Sequence, residues 1–450
     1  MAEFFLYIFV PMNTATYSYK DIFKEQEKNL AHLQNTYIHN AKLDAFDDFY
    51  KLGFPTRRHE SWKYTNVSSF TRASLNPLFF PLMHLDIKKS DFRYYNHIKA
   101  NKLVVVNGSF QKHLSEILED PDETTIMSVS EAITTKNPDF EKHFNTLAQN
   151  SKDHFSALNT SMFGDGIFIH IREGIHTKYP IIWFFISKDN SDCIINPRNL
   201  IIIEKNASTE IIKDHQGLTE GDYYINAVTE IILEENALLD MTAIQNETSH
   251  GLHYVGTKEI LQQKSSTYNY TNISLSGKLI RNNLRCVLQD ENIKCNLRGV
   301  YYGKDHDTID NNFLVEHKAE NCESNQLLKG ILKDNSNGIF TGKIYVHPHA
   351  NKTNAYQKNN NLLLSDSATM NSRPQLEIYA DDVKCSHGAT NGQIDENALY
   401  YLMSRGLTSE TANSFIQYAF LAEVFDGIKN EGIREYLDEV FRFKLGLFQF

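Results

Sequence analysis

The feature that most constrains the fold is a series of short apolar runs between residues 166 and 383. The runs are rich in β-branched and aromatic residues, as in Ile167-Phe-Ile-His-Ile171 and Ile181-Ile-Trp-Phe-Phe-Ile186, which is typical of β-strands. Turns of Asn, Asp, Ser and Gly separate them at nearly regular intervals, with almost no helix-length pattern in between. This segment predicts a β-rich body built from many short strands.

Two architectures fit this spacing: a sandwich or barrel, and a solenoid in which each coil buries its apolar face on the next. Apart from Asn337-Gly338, the runs lack the Asn-Gly and Asp-Gly turns that join antiparallel strands into hairpins. The pattern therefore favours the solenoid.

Helical patterns precede this body. Apolar residues recur at helical spacing over 19–50 and again over 140–158, with a short strand predicted at 103–108 between them. The apolar run at residues 4–10 falls well short of the roughly 20 residues that cross a bilayer. We therefore predict no membrane segment, and we interpret residues 1–13 as an arm or an upstream-start artefact.

The C-terminal segment carries helix boundary signals. Asp395 can cap a helix that ends before Gly406, and Thr408 or Ser409 can cap the next helix. The second helix has an apolar stripe at helical spacing, which either packs on the protein's own body or binds a partner. The stripe consists of Ala412, Phe415, Ile416, Ala419, Phe420 and Val424.

Composition restricts the partners and the compartment. The formal charge of -11 argues against nucleic acid as a main partner, because phosphate backbones are repelled on average. Five cysteines, an odd number with no CxxC spacing, fit neither a disulfide framework nor a closed zinc site. A reducing cytosol is the expected environment.

The densest group of chemically active residues contains Cys385 and His387. On an extended strand both side chains face the same way, about 7 Å apart. A thiolate and an imidazole can share an iron ion or a cluster, but two ligands do not close a site. The same spacing also fits a core thiol beside a hydrogen-bonded imidazole.

Other patterns have weaker chemical meaning. Asp305 and Asp307 stand at strand spacing, which fits paired carboxylates in a β-helical carbohydrate-active enzyme or a hydrated polar turn. His347-Pro-His349 places two imidazoles together, and its proline favours a surface loop. The sequence has no nucleotide phosphate loop, so we predict that the chain does not hydrolyse nucleotide itself.

Several segments closely resemble signatures of the SufB/SufD family of iron–sulfur cluster assembly proteins. The longest is the unbroken run from Pro374 to Thr390, and Tyr400-Tyr-Leu-Met-Ser-Arg-Gly406 follows it. The segment Arg57-Arg-His-Glu-Ser-Trp-Lys-Tyr-Thr65 resembles the family's N-terminal motif, so the similarity extends from about residue 14. Gly388, directly after the histidine, resembles the SufD branch rather than SufB.

This resemblance implies a mainly β fold: a right-handed parallel β-helix core at 156–392, an N-terminal helical and mixed domain at 1–155 and a C-terminal helical domain at 393–450. It implies a non-catalytic, cytoplasmic scaffold that pairs with SufB through the β-helix and docks the SufC ATPase through the C-terminal helices. A purely structural partner of SufB is an alternative, and the role of reduced flavin stays open.

The resemblance also implies roles for individual residues. His387 matches the family histidine that helps to hold a transient iron–sulfur cluster at the SufB interface, and Cys385 matches the family cysteine. The predicted SufC-docking residues are Arg405, Phe415, Tyr418 and Phe420.

Overall fold

Two long, mainly parallel β-sheets run side by side through the middle of the chain. The computed structural model describes residues 19–29, 36–72, 76–77, 87–150, 153–189, 192–247 and 251–447. From β5 onward most strands alternate between the two sheets, and neighbouring strands within a sheet come from successive coils. The body is thus a β-helix of about eight turns, which confirms the solenoid prediction over the sandwich or barrel.

The first sheet contains β1 (Asn76–Pro77), β4 (Thr124–Ser128), β5 (Ile167–Ile171), β7 (Cys193–Ile195), β8 (Arg198–Ile203), β10 (Tyr223–Leu233), β12 (Leu252–Gln262), β14 (Leu279–Leu288), β16 (Thr308–His317), β18 (Asn337–Val346) and β20 (Thr369–Ile378). The second contains β2 (Asn101–Val106), β3 (Ser109–Phe110), β6 (Ile181–Ser187), β9 (Ser208–Gly217), β11 (Leu238–Gln245), β13 (Thr267–Ser274), β15 (Lys294–Gly303), β17 (Glu323–Leu332), β19 (Thr353–Leu363) and β21 (Val383–Gly392).

The corner that leads from the first sheet to the second repeats one backbone geometry in successive coils. A residue with positive φ, a conformation that asparagine adopts more readily than most residues, lies in six successive turns of this corner, from the one after β8 to the one after β18. Stacked turns are hydrogen-bonded: the Asn206 N–H donates to Glu235 O, and the Asn236 N–H donates to Lys264 O, both at 2.9 Å. The positive-φ residues of this corner are Asn206, Asn236, Ser265, Asn292, Asn321 and Lys352.

The described helices flank the β-helix on its N-terminal and C-terminal sides. They are α1 (Tyr19–Asn29), α2 (Tyr37–Leu52), α3 (Ser69–Arg72), α4 (Val129–Thr134), α5 (Pro138–His143), α6 (His154–Met162), α7 (Glu396–Ser404), α8 (Ser409–Phe425) and α9 (Glu431–Lys444). None of them is long and apolar enough to cross a membrane.

Helices cover the outer faces of both sheets. On the first sheet, Phe70 and Phe155 of the N-terminal region pack against Tyr224 and other outward side chains. On the second sheet, α8 and α9 pack in one apolar cluster with residues 87–98 and with outward side chains such as Ile212. The C-terminal helices therefore fold back along the β-helix.

The last coil lacks a comparable apolar cover, and the N-terminal segment reaches it through Glu60, whose carboxylate lies 2.7 Å from Arg373 Nη2 on β20. Strands β20 and β21 each pair with one strand only among the described residues, so each leaves one edge unpaired. No residue of β21 is buried, whereas alternate residues of its neighbour β19 are buried. We call this face, formed by β20 and β21, the open end.

Some predicted boundaries were wrong. The helix predicted over 140–158 is two helices, because Phe144 is extended and Asn145 has a φ of 62°. The pattern over 19–50 comprises α1 and α2, and the residues between them lie outside the described part, as do residues 1–13. The C-terminal caps are confirmed: the Asp395 side chain accepts the Asn397 N–H at 2.9 Å, and Gly406 has a φ of 97°.

Candidate functional site

Cys385 and His387 lie on β21, the last strand of the second sheet. Cys385 pairs in register with Ala355, and His387 with Gln357. Neighbours in register on parallel strands share a face, and Ala355 and Gln357 are both buried inside the β-helix. Both candidate ligands therefore face the interior of the last coil, at the open end.

The two side chains differ in exposure. Cys385 is half-buried and packs against a small apolar cluster that includes Ala355, whereas His387 is exposed. Partial burial raises the pKa of the Cys385 thiol, and a hydrogen bond with the backbone of Ala355 opposes this only in part. Metal binding at this thiol would therefore release a proton.

The site is incomplete within the described part of the chain. No group of three or more His, Cys, Asp or Glu side chains there is arranged to hold a metal ion. One thiol and one imidazole fit iron chemically, but a cluster needs further ligands from another molecule or from sulfide. The outer face of β21, opposite the pair, is open, since a Cβ added at Gly388 would meet no atom within 4 Å.

A buried polar network lies further along the same strands, in register with positions two to four residues after His387, and the sequence analysis did not find it. Tyr301 donates a hydrogen bond to Asn361, and Asn359 Nδ2 donates to the Tyr301 hydroxyl at 3.0 Å. Asn361 Nδ2 also donates to Asn391 Oδ1 on β21 at 2.9 Å. The available signal was the alternation of amide side chains along β19, but only the register shows which of them point inward.

The N-terminal motif at 57–65 fastens its segment to the β-helix. The Trp62 ring is buried and lies under the Arg281 guanidinium, 3.7 Å from the ring centroid. Arg281 in turn pairs with buried Asp310, which also accepts a hydrogen bond from the Thr65 hydroxyl. This motif therefore has a structural role, because its aromatic ring at Trp62 and its hydroxyl group at Thr65 make internal contacts.

Asp305 and Asp307 lie in the turn between β15 and β16, as the polar-turn interpretation predicted. Asp305 is exposed, has a positive φ and lies 3.4 Å from Lys304 Nζ. Asp307 is buried and accepts the Lys304 backbone N–H at 3.2 Å, and burial raises its pKa to about 6. Both carboxylates serve the turn, which favours the polar-turn interpretation.

The His347-Pro-His349 segment lies in the turn after β18, as its proline indicated. His349 is exposed, while half-buried His347 packs edge-on against Tyr345 with ring centroids 4.6 Å apart. His347 Nε2 lies 3.7 Å from Glu316 Oε2. The two histidines thus have different surroundings.

The C-terminal helices expose a group of aromatic side chains. None of the residues of α7 is buried, and Tyr400 and Tyr401 are 75% and 57% exposed. Phe415, in the first half of α8, is 42% exposed. Arg405 lies at the end of α7 with its guanidinium 5.2 Å from the Tyr401 ring centroid. These exposed aromatic residues and Arg405 form what we call the α7 patch.

The predicted apolar stripe of α8 is only partly correct. The buried residues of this helix are Ala412, Ser414, Leu421, Val424 and Phe425, so the packed face is rotated away from Phe415 and Ala419. Two of the predicted docking residues also make internal contacts. Tyr418 donates a hydrogen bond to Asp438, and the Phe420 carbonyl accepts one from Lys329 Nζ at 2.8 Å.

Comparison with known proteins gave two family models that together span most of the chain. The model described as the SufBD protein N-terminal region matches residues 13–182. The model described as SUF system FeS cluster assembly, SufBD core domain, matches residues 184–420.

Individual relatives match over similar lengths. An iron–sulfur cluster assembly SufBD family protein of Synechocystis is 30% identical over 407 residues, covering 88% of each chain. The iron–sulfur cluster assembly protein SufD of Escherichia coli is 28% identical, covering 86% of this chain and 88% of the relative. SufD of Bacillus subtilis is 25% identical, covering 92% of this chain and 95% of the relative.

Proposed function

Because the chain belongs to the SufBD family of iron–sulfur cluster assembly proteins, we propose that it is a non-catalytic scaffold subunit that pairs with SufB and docks the SufC ATPase. The observation that carries this proposal is the position of Cys385 and His387 on the uncovered last strand of the β-helix. A site at the end of a solenoid is completed by whatever molecule covers that end.

The open end is suited to pairing with another strand. Unpaired edges of β20 and β21 offer backbone donors and acceptors to a partner, and such edges are the usual template for strand addition. Tyr379, 57% exposed just after β20, adds apolar area there. We assign this face to SufB.

The cluster is the cargo of this site. Cys385 and His387 supply one soft and one borderline ligand, and SufB and inorganic sulfide supply the others. A shared site of this kind releases its cluster when the two subunits move apart. This chain therefore contributes geometry and two ligands, and ATP hydrolysis belongs to SufC.

We assign SufC docking to the α7 patch. Helix α7 has no buried side chain, yet it carries exposed Tyr400, Tyr401 and Met403. Exposed aromatic residues beside an arginine are the composition that protein interfaces favour. Tyr418 and Phe420 then support docking indirectly, because their internal contacts hold α8 in place.

The proposal that the chain is a scaffold subunit also includes a cytosolic location and a division into three domains. All five cysteines are free thiols, which fits a reducing cytosol. We retain the division into 1–155, 156–392 and 393–450 as a working proposal.

The test is co-expression of the chain with its SufB and SufC partners, followed by anaerobic purification of the complex and measurement of iron and sulfide. His387→Ala removes the exposed imidazole at the open end, and His349→Ala removes another exposed imidazole, from the turn after β18. We expect His387→Ala to retain the complex and lose most iron and sulfide, while His349→Ala retains both.

Other outcomes contradict specific parts of the proposal. Full iron and sulfide content in the His387→Ala complex would leave the chain as a purely structural partner. Failure of the wild-type chain to co-purify with SufB and SufC would overturn the scaffold assignment itself.

A further inference from the structure

Gln326, Gln357 and His387 form one row across the last three strands of the second sheet. Gln326 on β17 pairs in register with Gln357 on β19, and Gln357 pairs in register with His387 on β21. Parallel strands lie about 4.8 Å apart, and residues in register share a face. The three side chains are therefore stacked along the axis of the β-helix, with His387 at the open end.

The two amides of this row make one directed hydrogen bond. Gln357 Nε2 donates to Gln326 Oε1 at 3.0 Å, and the two residues are only 1% and 2% exposed. Gln357 Oε1 has no hydrogen-bond partner within the described structure. The row therefore ends in a buried acceptor that has no donor. Such an acceptor reduces the stability of the fold by about 1–3 kcal/mol.

The opposite wall of the β-helix makes room for this amide. A Cβ atom at Gly342 of β18 would lie 2.2 Å from Gln357 Nε2, closer than any side chain allows. Glycine at this position therefore permits Gln357 to lie flat across the interior. The residue that follows Gln357 in the row, and the nearest candidate donor in it, is His387.

We propose that Gln357 is a positioning residue for His387. In the described structure this Oε1 is unpartnered and the His387 ring is exposed; a turn of that ring brings one imidazole N–H to the Oε1, which selects a single tautomer and turns the lone pair of the other nitrogen towards the open end. Metal-binding histidines usually donate their second N–H to such an acceptor, which fixes the ring. The inference rests on the proposed role of His387 as a ligand, but the tautomer exists in the metal-free chain.

The first experiment measures that tautomer in the full-length, metal-free chain with nitrogen-15 in the histidine rings. His387→Asn identifies the signals, and all spectra are recorded at the same alkaline pH. In the wild type we expect two well-separated ring nitrogen shifts, as for one dominant tautomer. In Gln357→Leu we expect both shifts to move towards the average of a free imidazole.

Two further variants separate positioning from general damage. Gln326→Leu removes an equally buried amide from the same row, one coil further from His387, and should leave the His387 shifts close to those of the wild type. Gln357→Glu keeps an oxygen acceptor at the same place and should retain the dominant tautomer. Identical His387 shifts in the wild type and Gln357→Leu would overturn the proposal.

A second experiment connects the tautomer to the cluster. In the complex with SufB and SufC, we expect an iron chelator to remove iron at least threefold faster from Gln357→Leu than from Gln326→Leu. Equal rates in these two variants would contradict a positioning role. Retention of iron in His387→Ala would instead refute the assignment of His387 as an iron ligand. The nitrogen shifts would still test, independently, whether Gln357 accepts a hydrogen bond from His387.

Discussion

At the scale of single residues, the interior of the β-helix holds basic side chains that have no acidic partner among the described residues. Lys213 Nζ lies 4.4 Å from the Trp183 ring centroid, and Lys258 Nζ lies 5.0 Å from that of Tyr270. Both lysines are buried, and His215 lies close to them. Burial lowers the pKa of all three groups, that of Lys258 to about 8. These residues reduce the stability of the fold at neutral pH.

Lys258→Met should stabilise the chain at pH 7. The pKa of Lys258 is 10.5 in the unfolded chain and about 8 in the folded chain. The unfolded chain thus binds more protons between these values, and stability rises with pH across that window. Removing the amine should raise the free energy of unfolding at pH 7 by up to about 3 kcal/mol.

Urea unfolding at pH 7 and pH 9.5 measures this effect. The gain from Lys258→Met should be larger at pH 7 than at pH 9.5, because less of the penalty remains at high pH. Lys112→Met, at an exposed site, serves as the control and should change little. A loss of stability in Lys258→Met at pH 7 would show that the buried amine is stabilising.

At the scale of elements, the segments that flank the β-helix differ in how firmly they are packed against it. The N-terminal segment is held by buried contacts such as those of Trp62 with Arg281. Helices α8 and α9 are held to the second sheet, where Lys429 Nζ lies 2.6 Å from Asp240 Oδ2. Helix α7 has no comparable burial. It is the element most available for a partner.

Tyr400→Ala should therefore weaken SufC binding and leave the fold intact. Tyr400 is 75% exposed, so its removal opens no cavity, whereas an aromatic anchor in an interface contributes at least about 2 kcal/mol. We expect the dissociation constant for SufC, measured by titration calorimetry, to rise by about thirtyfold or more. Phe443→Ala removes an aromatic side chain that is 77% exposed on α9, and should bind as the wild type does.

The opposite result is equally informative. Unchanged SufC affinity in Tyr400→Ala, or an equal loss in Phe443→Ala, would move the docking site away from the α7 patch.

At the scale of the whole molecule, regular spacing predicted the solenoid and local chemistry predicted the caps. Strand runs and turn residues are local signals, so the β-helix, the Asp395 cap and the terminating Gly406 were all predictable. The row of Gln326, Gln357 and His387 was not, because it depends on the register between coils. The packed face of α8 also depends on where the helix meets the second sheet, which periodicity alone does not specify.

The central claim is that SufB covers the open end. The most direct measurement is hydrogen–deuterium exchange of the free chain and of the chain bound to SufB. We expect strong protection of 369–392, which spans β20 and β21, and unchanged exchange in the stacked turns at 204–208 and 234–237. Protection confined to other elements, with 369–392 exchanging as in the free chain, would contradict the account.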